Sequence, residues 1–317
     1  MAHDIEDNRF ISTQNEWHDQ GAQAVIGLSV EQAIAQVHPE LLCHVPMQGF
    51  TEGHTYPAPD CFGVYRVGPN GAKFLATVGD KHTITQPIDL IGDYQHLLDT
   101  GLVELQTAGL LQDGKKIFVT AKVKDSAREI VRNDVVDQYF TIATGLCGNM
   151  NHRMFSAAQR TVCANTLRVS LKQGENNGSM VAARNTRSIH EKRANWLEVV
   201  KRSLVDWDDT VRAYKAIAKK EIKDDRTIQA YVDQVFEVDR TKEVHAKTEN
   251  KVRYVCDLFD NGRGTELVEA NYWRAYNAVT EYLTHNHGHN ADSRLDSLMF
   301  GESSKVSQRA LSLAMSA

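Results

Sequence analysis

The chain changes its hydrophobic rhythm near its middle. Up to about residue 144 the apolar residues fall in short β-rich runs cut by Gly, Pro, Asn and Asp, whereas beyond Ala157 they recur every three or four residues. This predicts an α+β protein, with an N-terminal mostly antiparallel sheet and packed helices followed by an all-helical C-terminal half.

Ser29-Val30-Glu31-Gln32 places a hydroxyl three residues before a Gln, a capping box that predicts a short helix to about Val37. Leu41 to Val45 reads as a strand, and Pro46, Gly49, Gly53, Pro57 and Pro59 then read as a loop. The runs Phe62 to Val67 and Lys73 to Val78 flank Gly68-Pro69-Asn70-Gly71, a hairpin signal because Asn-Gly tolerates the positive φ of a tight turn. A helix is expected from Gln86, with Pro87 in its first turn, to Leu98, with Gly101 as the stop. Leu102 to Leu111 and Lys115 to Val123 flank Asp113-Gly114 as a second hairpin, and Asp137 to Thr144 adds a strand.

In the second half Leu197, Val200, Leu204, Trp207, Val211, Tyr214 and Ala218 form an apolar stripe on one long helix that begins near Ser188. The stripe fits either a core face or a seam for self-association. Further helices are expected at about 226–238, 242–259, 266–285 and 303–315, one of them ended by Asn261-Gly262-Arg263-Gly264. The segment from Arg160 to Arg168 is also read as helical, which would set those two arginines near one face. Three regions result: an acidic arm over 1–25, an α+β domain over 26–186 and a helical region over 187–317.

Composition changes this picture mainly by exclusion. The 317 residues are 42% apolar and 24% charged, and no apolar run is long enough to span a bilayer. The start Met1-Ala2-His3-Asp4 lacks the basic and apolar character of a secretory signal, so a cytoplasmic protein with no membrane partner is expected. The five cysteines are odd in number and widely spaced, which suits reduced thiols, and no Cys-x-x-Cys pair points to zinc. No phosphate-binding loop, dinucleotide fingerprint or nucleophile elbow is present. The reading is a non-enzyme with no cofactor and no metal. His285, His287 and His289 are the nearest approach to a metal site, and dipole contacts at a helix end explain them as well.

Charge is uneven. The first 60 residues carry −8, while residues 151–193 carry +6 in a chain whose total is −5. Single-strand binders combine phosphate-neutralising cations with stacking side chains. Arg153, Arg160, Arg168, Arg184, Arg187, Lys192 and Arg193 are the candidate phosphate contacts, with Phe155 and His190 as stacking groups. Cys163, Asn165 and Thr166 belong to a structural motif, the cysteine as a small buried residue and the other two as backbone-bonding side chains.

The run Arg160-Thr161-Val162-Cys163-Ala164-Asn165-Thr166-Leu167, the hairpin from Thr107 to Lys116 and Arg184-Asn185-Thr186 resemble a phage/plasmid-like family numbered 932 among domains of unknown function. Tyr272 to Tyr282, then His285, Arg294, Gly301 and Lys305, is similar to that family's C-terminal pattern, and the likeness spans roughly residues 25 to 315. Where members carry Arg-His-Thr, this chain reads Arg184-Asn185-Thr186. The resemblance implies a phage, prophage or plasmid setting and transfers no catalytic residue. With the basic segment it leads to a single-stranded DNA-binding or annealing protein of phage replication, recombination or transcription that self-associates. The alternative is a regulatory protein that acts on a phage or host protein without touching nucleic acid.

Overall fold

The computed structural model describes residues 10–12, 22–23, 27–37, 41–68, 71–112, 114–161, 165–168, 180–183, 196–288 and 290–317. No helix among them is long and apolar enough to cross a membrane. The fold is α+β, as the change of rhythm predicts: antiparallel sheets in the first half, helices from residue 196 on.

Four strands make the middle of the large sheet: β6 (Val103–Leu111), β7 (Lys116–Val123), β9 (Asp134–Gly145) and β10 (His152–Arg160). β1 (Phe10–Ser12) and β2 (Ala22–Gln23) extend it beyond β6, while β8 (Arg128–Val131) pairs with the start of β9. β11 (Asn165–Arg168) and β12 (Met180–Ala183) both pair with β10, so seven of the nine described strands run in the order β11-β10-β9-β7-β6-β1-β2, with β12 and β8 beside β10 and β9. Only β1 and β2 are parallel within this set.

Both faces of the central strands are covered, which is why they read as near-continuous apolar runs. Ile117, Val119, Ala121 and Val123 turn to one face and pack with Leu90, Ile91, Tyr94 and Leu97 of α2 (Pro87–Asp99). Phe118 turns to the other face and meets Leu295. The buried Tyr94 hydroxyl accepts the Ile142 N–H at 3.1 Å and lies within hydrogen-bond distance of the Val119 and Phe140 carbonyls. It thereby ties α2 to two strands, and burial holds its phenol well above the ordinary range.

β3 (Leu41–Thr51), β4 (His54–Gly68) and β5 (Gly71–Gly79) form a second antiparallel sheet. The expected loop over Pro46 to Pro59 is therefore a correction, because β3 and β4 run through it and close on Glu52 and Gly53 with φ of 47° and 77°. A two-residue turn with both φ positive matches the twist of its strands, so Gly53 is a turn residue rather than a strand breaker. The two hairpins expected from Asn-Gly and Asp-Gly are present, with Gly68 opposite Gly71 and Leu111 opposite Lys116.

The helix expected over 160–168 is the second correction. Arg160 ends β10 and pairs with Asn165 at the start of β11, which runs antiparallel along β10. β12 then occupies the next stretch of that edge, opposite His152 to Phe155. β11 and β12 thus lie along successive stretches of the same edge of β10.

α3 (Trp196–Ala218) carries the apolar stripe, and its start near Ser188 lies outside the described residues. Val200, Trp207, Val211 and Tyr214 are buried within the chain, with Leu204 and Ala218 packed at the margin. The Trp207 indole donates to the Ser126 carbonyl at 2.9 Å, and Gln138 of β9 donates to the Ser203 carbonyl of α3 at 3.0 Å. The described residues of the stripe accordingly form a core face.

α4 (Asp225–Val235), α5 (Ala246–Asn261), α6 (Tyr272–Glu281) and α8 (Glu302–Ser316) complete the helical core around Trp273, Tyr214 and Tyr276. The single helix expected over 266–285 resolves into a 3-10 turn (Thr265–Leu267), α6 and a π turn (Tyr282–Asn286). α7 (Ala291–Phe300), which the apolar spacing did not disclose, is started by an Asn290–Ser293 capping box. Sheet and helices share one core, since Ile130, Val136 and Ala158 pack among the helical residues.

Candidate nucleic-acid interface

Strand alternation decides what β10 can offer. Arg153 and Arg160 are seven residues apart on it and so point to opposite faces of the sheet. Arg160 faces the helices and is 2% exposed. Its Nε donates to Asp134 Oδ1 at 2.7 Å, while its terminal nitrogens donate to the carbonyls of Arg263 at 3.1 Å and Gly264 at 3.0 Å. Asp134, 0% exposed, accepts a further bond from the Trp273 indole at its other oxygen, 2.8 Å away. The expectation that Arg160 contacts phosphate is thereby corrected: its charge is neutralised inside the protein, where it fastens β9 and β10 to α6 and to the Gly262–Gly264 loop.

The loop is gripped from its other side. Glu281 accepts the Arg263 N–H at 3.0 Å, and burial raises its carboxyl pKa, an effect that this bond and the nearby guanidinium groups of Arg263 and Arg160 offset in part. Gly264 adopts φ 72°, a conformation that glycine takes without strain. The space among Arg160, Arg263, Asn277 and Glu281 is about 10 Å³, room for no more than about one water. This is a joint and not a ligand site.

Arg153 faces the other way, half-buried on the same face as Phe155, and its Nε is buried without a hydrogen-bond partner among the described residues. It stands opposite Ala182 of β12. Phe155 is buried against Phe300 with ring centroids 5.9 Å apart, so the ring expected to stack on bases is covered by α7. Arg168, Asn165 and Thr166 lie on β11, where only the backbone is described. Cys163, Arg184, Arg187, His190, Lys192 and Arg193 lie outside the described residues. The register nevertheless places Arg168 opposite Ala157 and ends β12 one residue before Arg184. Of the basic segment, Arg153 on β10 and Arg168 on β11 are thus placed on the large sheet, and the charge of residues 151–193 is +5 once Arg160 is set aside.

The other candidate features resolve differently. His285 lies in the π turn, His287 packs at a tilt against Tyr282 with ring centroids 5.6 Å apart, and His289 lies outside the described residues. Among the described residues no three His, Cys, Asp or Glu side chains gather as metal ligands. A hollow of about 470 Å³ opens between α4, α6 and α8, lined by Asp224, Arg226, Tyr231, Gln234, Tyr272 and Leu313 among others, and none of its lining residues belongs to the basic segment. Sequence reasoning missed Asp134 and Trp273, which are separated by 139 positions and meet only through the docking of α6 on β9.

The family model described as Domain of unknown function (DUF932) matches residues 74–307, a span that holds the central strands, the joint and the helical core down to the start of α8. Neither the curated proteins nor the solved structures yielded a match.

Proposed function

The chain belongs to the family described as Domain of unknown function (DUF932), and on that premise we propose that it is a non-enzymatic nucleic-acid-binding protein of a phage or plasmid, acting on single-stranded DNA in the host cytoplasm. What supports this reading is the surplus of +5 that residues 151–193 keep once Arg160 is set aside, together with the pairing of β11 with β10 that puts Arg168 on an edge strand of the large sheet. Several cations close together in sequence suit a flexible phosphate backbone better than a compact ligand. Arg153, Arg168, Arg184, Arg187, Lys192 and Arg193 carry the contact, and Arg160 holds the edge in place from behind.

The test is a titration of a fluorescent single-stranded oligonucleotide followed by anisotropy at several salt concentrations. Affinity falls with salt, with a log–log slope of about −0.7 per phosphate neutralised. Arg168→Ala with Arg184→Ala should make that slope shallower by about 1.4 while the melting temperature stays constant. Absence of binding at about 50 mM salt overturns the proposal. A second reading, regulation through a protein partner, is favoured by the β3–β4 ribbon, which exposes aromatic rings on a stretch without lysine or arginine up to Tyr65. A stoichiometric protein partner retained after nuclease treatment, with no oligonucleotide binding, would support it.

A further inference from the structure

The second sheet meets the large one at a junction where Leu42, Val64 and Leu75 share a core with Leu146 and Cys147. Two histidines close one end of it. His44 on β3 and His82 in the turn after β5 stand with ring centroids 5.7 Å apart at an interplanar angle of 52°, and His44 also lies 5.8 Å from the Phe62 ring. The turn after β9 runs against His82, since a Cβ at Gly148 would come within 3.6 Å of its Nδ1.

The two edges of the His82 ring differ. Its Nε2 is buried without a hydrogen-bond partner. A hydrogen bond to the Leu146 backbone favours the charged ring, so the ring is the donor, and Nδ1 is the nitrogen left to make it. The neutral ring therefore keeps a lone pair on Nε2. A second proton would put an N–H at Nε2 where no acceptor stands, and a charge in half-buried surroundings beside His44. Burial first and His44 second push the His82 pKa down against the Leu146 bond, and burial pushes that of His44 down. No carboxylate offsets either shift. Asp60 on β4 and Asp80 and Lys81 beside His82 are exposed, Cys147 across the junction is a buried thiol held up by burial, and Lys115 behind it has the sign of an imidazolium.

We propose that the His44–His82 pair is an acid-sensitive latch between the two sheets: with both rings neutral it closes the junction on the Leu146–Asn149 turn, and when they take protons it lets that contact open. An opened chain takes its histidine protons at about pH 6.5, whereas the closed junction takes them lower. The latch is thus fully closed above about 6.5 and loses its hold as pH falls through the window below that value. Gln86 does not titrate, and its side chain accepts the Leu42 N–H at 3.1 Å and donates to the Leu42 carbonyl at 2.8 Å. Opening is therefore local to the His82 end.

Hydrogen exchange of the full chain at about pH 7.5 and 5.5, corrected for the chemical exchange rate, tests this. Protection of Phe74 to Val78 and of Leu146 to Met150 should fall in acid, by up to about tenfold for each unit by which the closed junction depresses a histidine pKa, while the helices around Trp273 keep theirs. His82→Gln should remove the acid loss. His44→Gln replaces an exposed residue, and proton resonances of the imidazole rings should then show the His82 midpoint, below about 6.5 in the wild type, moving up. Equal protection at both pH values overturns the proposal, as does an acid loss that persists in His82→Gln or spreads evenly over the molecule. A His82 midpoint at or above about 6.5, or one that His44→Gln leaves in place, overturns it as well.

Discussion

The joint at Arg160 and the ribbon tip at Phe50 are opposites in where they put charge and grease. At the joint a guanidinium and a carboxylate sit in the core, each with hydrogen bonds from or to a second element. At the tip a phenyl ring stands in water on a strand whose neighbours are all exposed. The joint lesson is that residue type does not set location; partners do. A buried ion pair persists when each charge is answered by geometry, and an exposed ring persists when the backbone beneath it is held by its own ladder.

If that contrast is right, the largest effect belongs to the joint. Arg160→Ala strands Asp134 in the core and should cost about 3–5 kcal/mol, read as the shift of a urea unfolding midpoint or as loss of soluble protein. A change below about 1 kcal/mol would mean that water reaches the pair. Tyr94→Phe comes next: it removes only a hydroxyl, yet takes away the acceptor of the Ile142 N–H and the one proton within reach of the Val119 and Phe140 carbonyls, for an expected loss of about 1–3 kcal/mol by the same measurement.

Glu281→Gln sharpens the comparison through pH. Burial raises the folded carboxyl above its unfolded value, so the folded state binds the proton more tightly than the unfolded state does. The stability that this proton confers is fully present below the unfolded pKa of about 4.3 and is lost as pH rises through the raised folded value. The glutamine keeps an acceptor for the Arg263 N–H and does not titrate. Unfolding midpoints across that window should therefore improve in the variant relative to the wild type as pH rises, and a constant difference would exclude Glu281 as the cause. The smallest effect is expected at the tip, where Phe50→Ser with Tyr56→Ser should change monomer stability by less than about 0.5 kcal/mol. A loss comparable to that of Tyr94→Phe would show that the rings support the fold.

Much of the architecture was legible from local chemistry. Asn-Gly and Asp-Gly located two hairpins because the turn demands positive φ, and the three-and-four spacing located α3 because one face of a helix must be covered. The same local rules misread Pro46 to Pro59, since proline and glycine argue against a strand only where both edges of that strand are paired. They also misread Arg160 to Arg168, where the apolar spacing of a short segment fits helix and strand alike.

By itself, the sequence determined the α+β division, the place of the hairpins and the concentration of positive charge in residues 151–193, because each follows from neighbours along the chain. Only the tertiary structure decided that Arg160, one of those charges, is bound inside. Asp134, Arg160, the Gly262–Gly264 loop and Trp273 are distant in sequence, and no local pattern records a bond that forms only when α6 docks on β9 and β10.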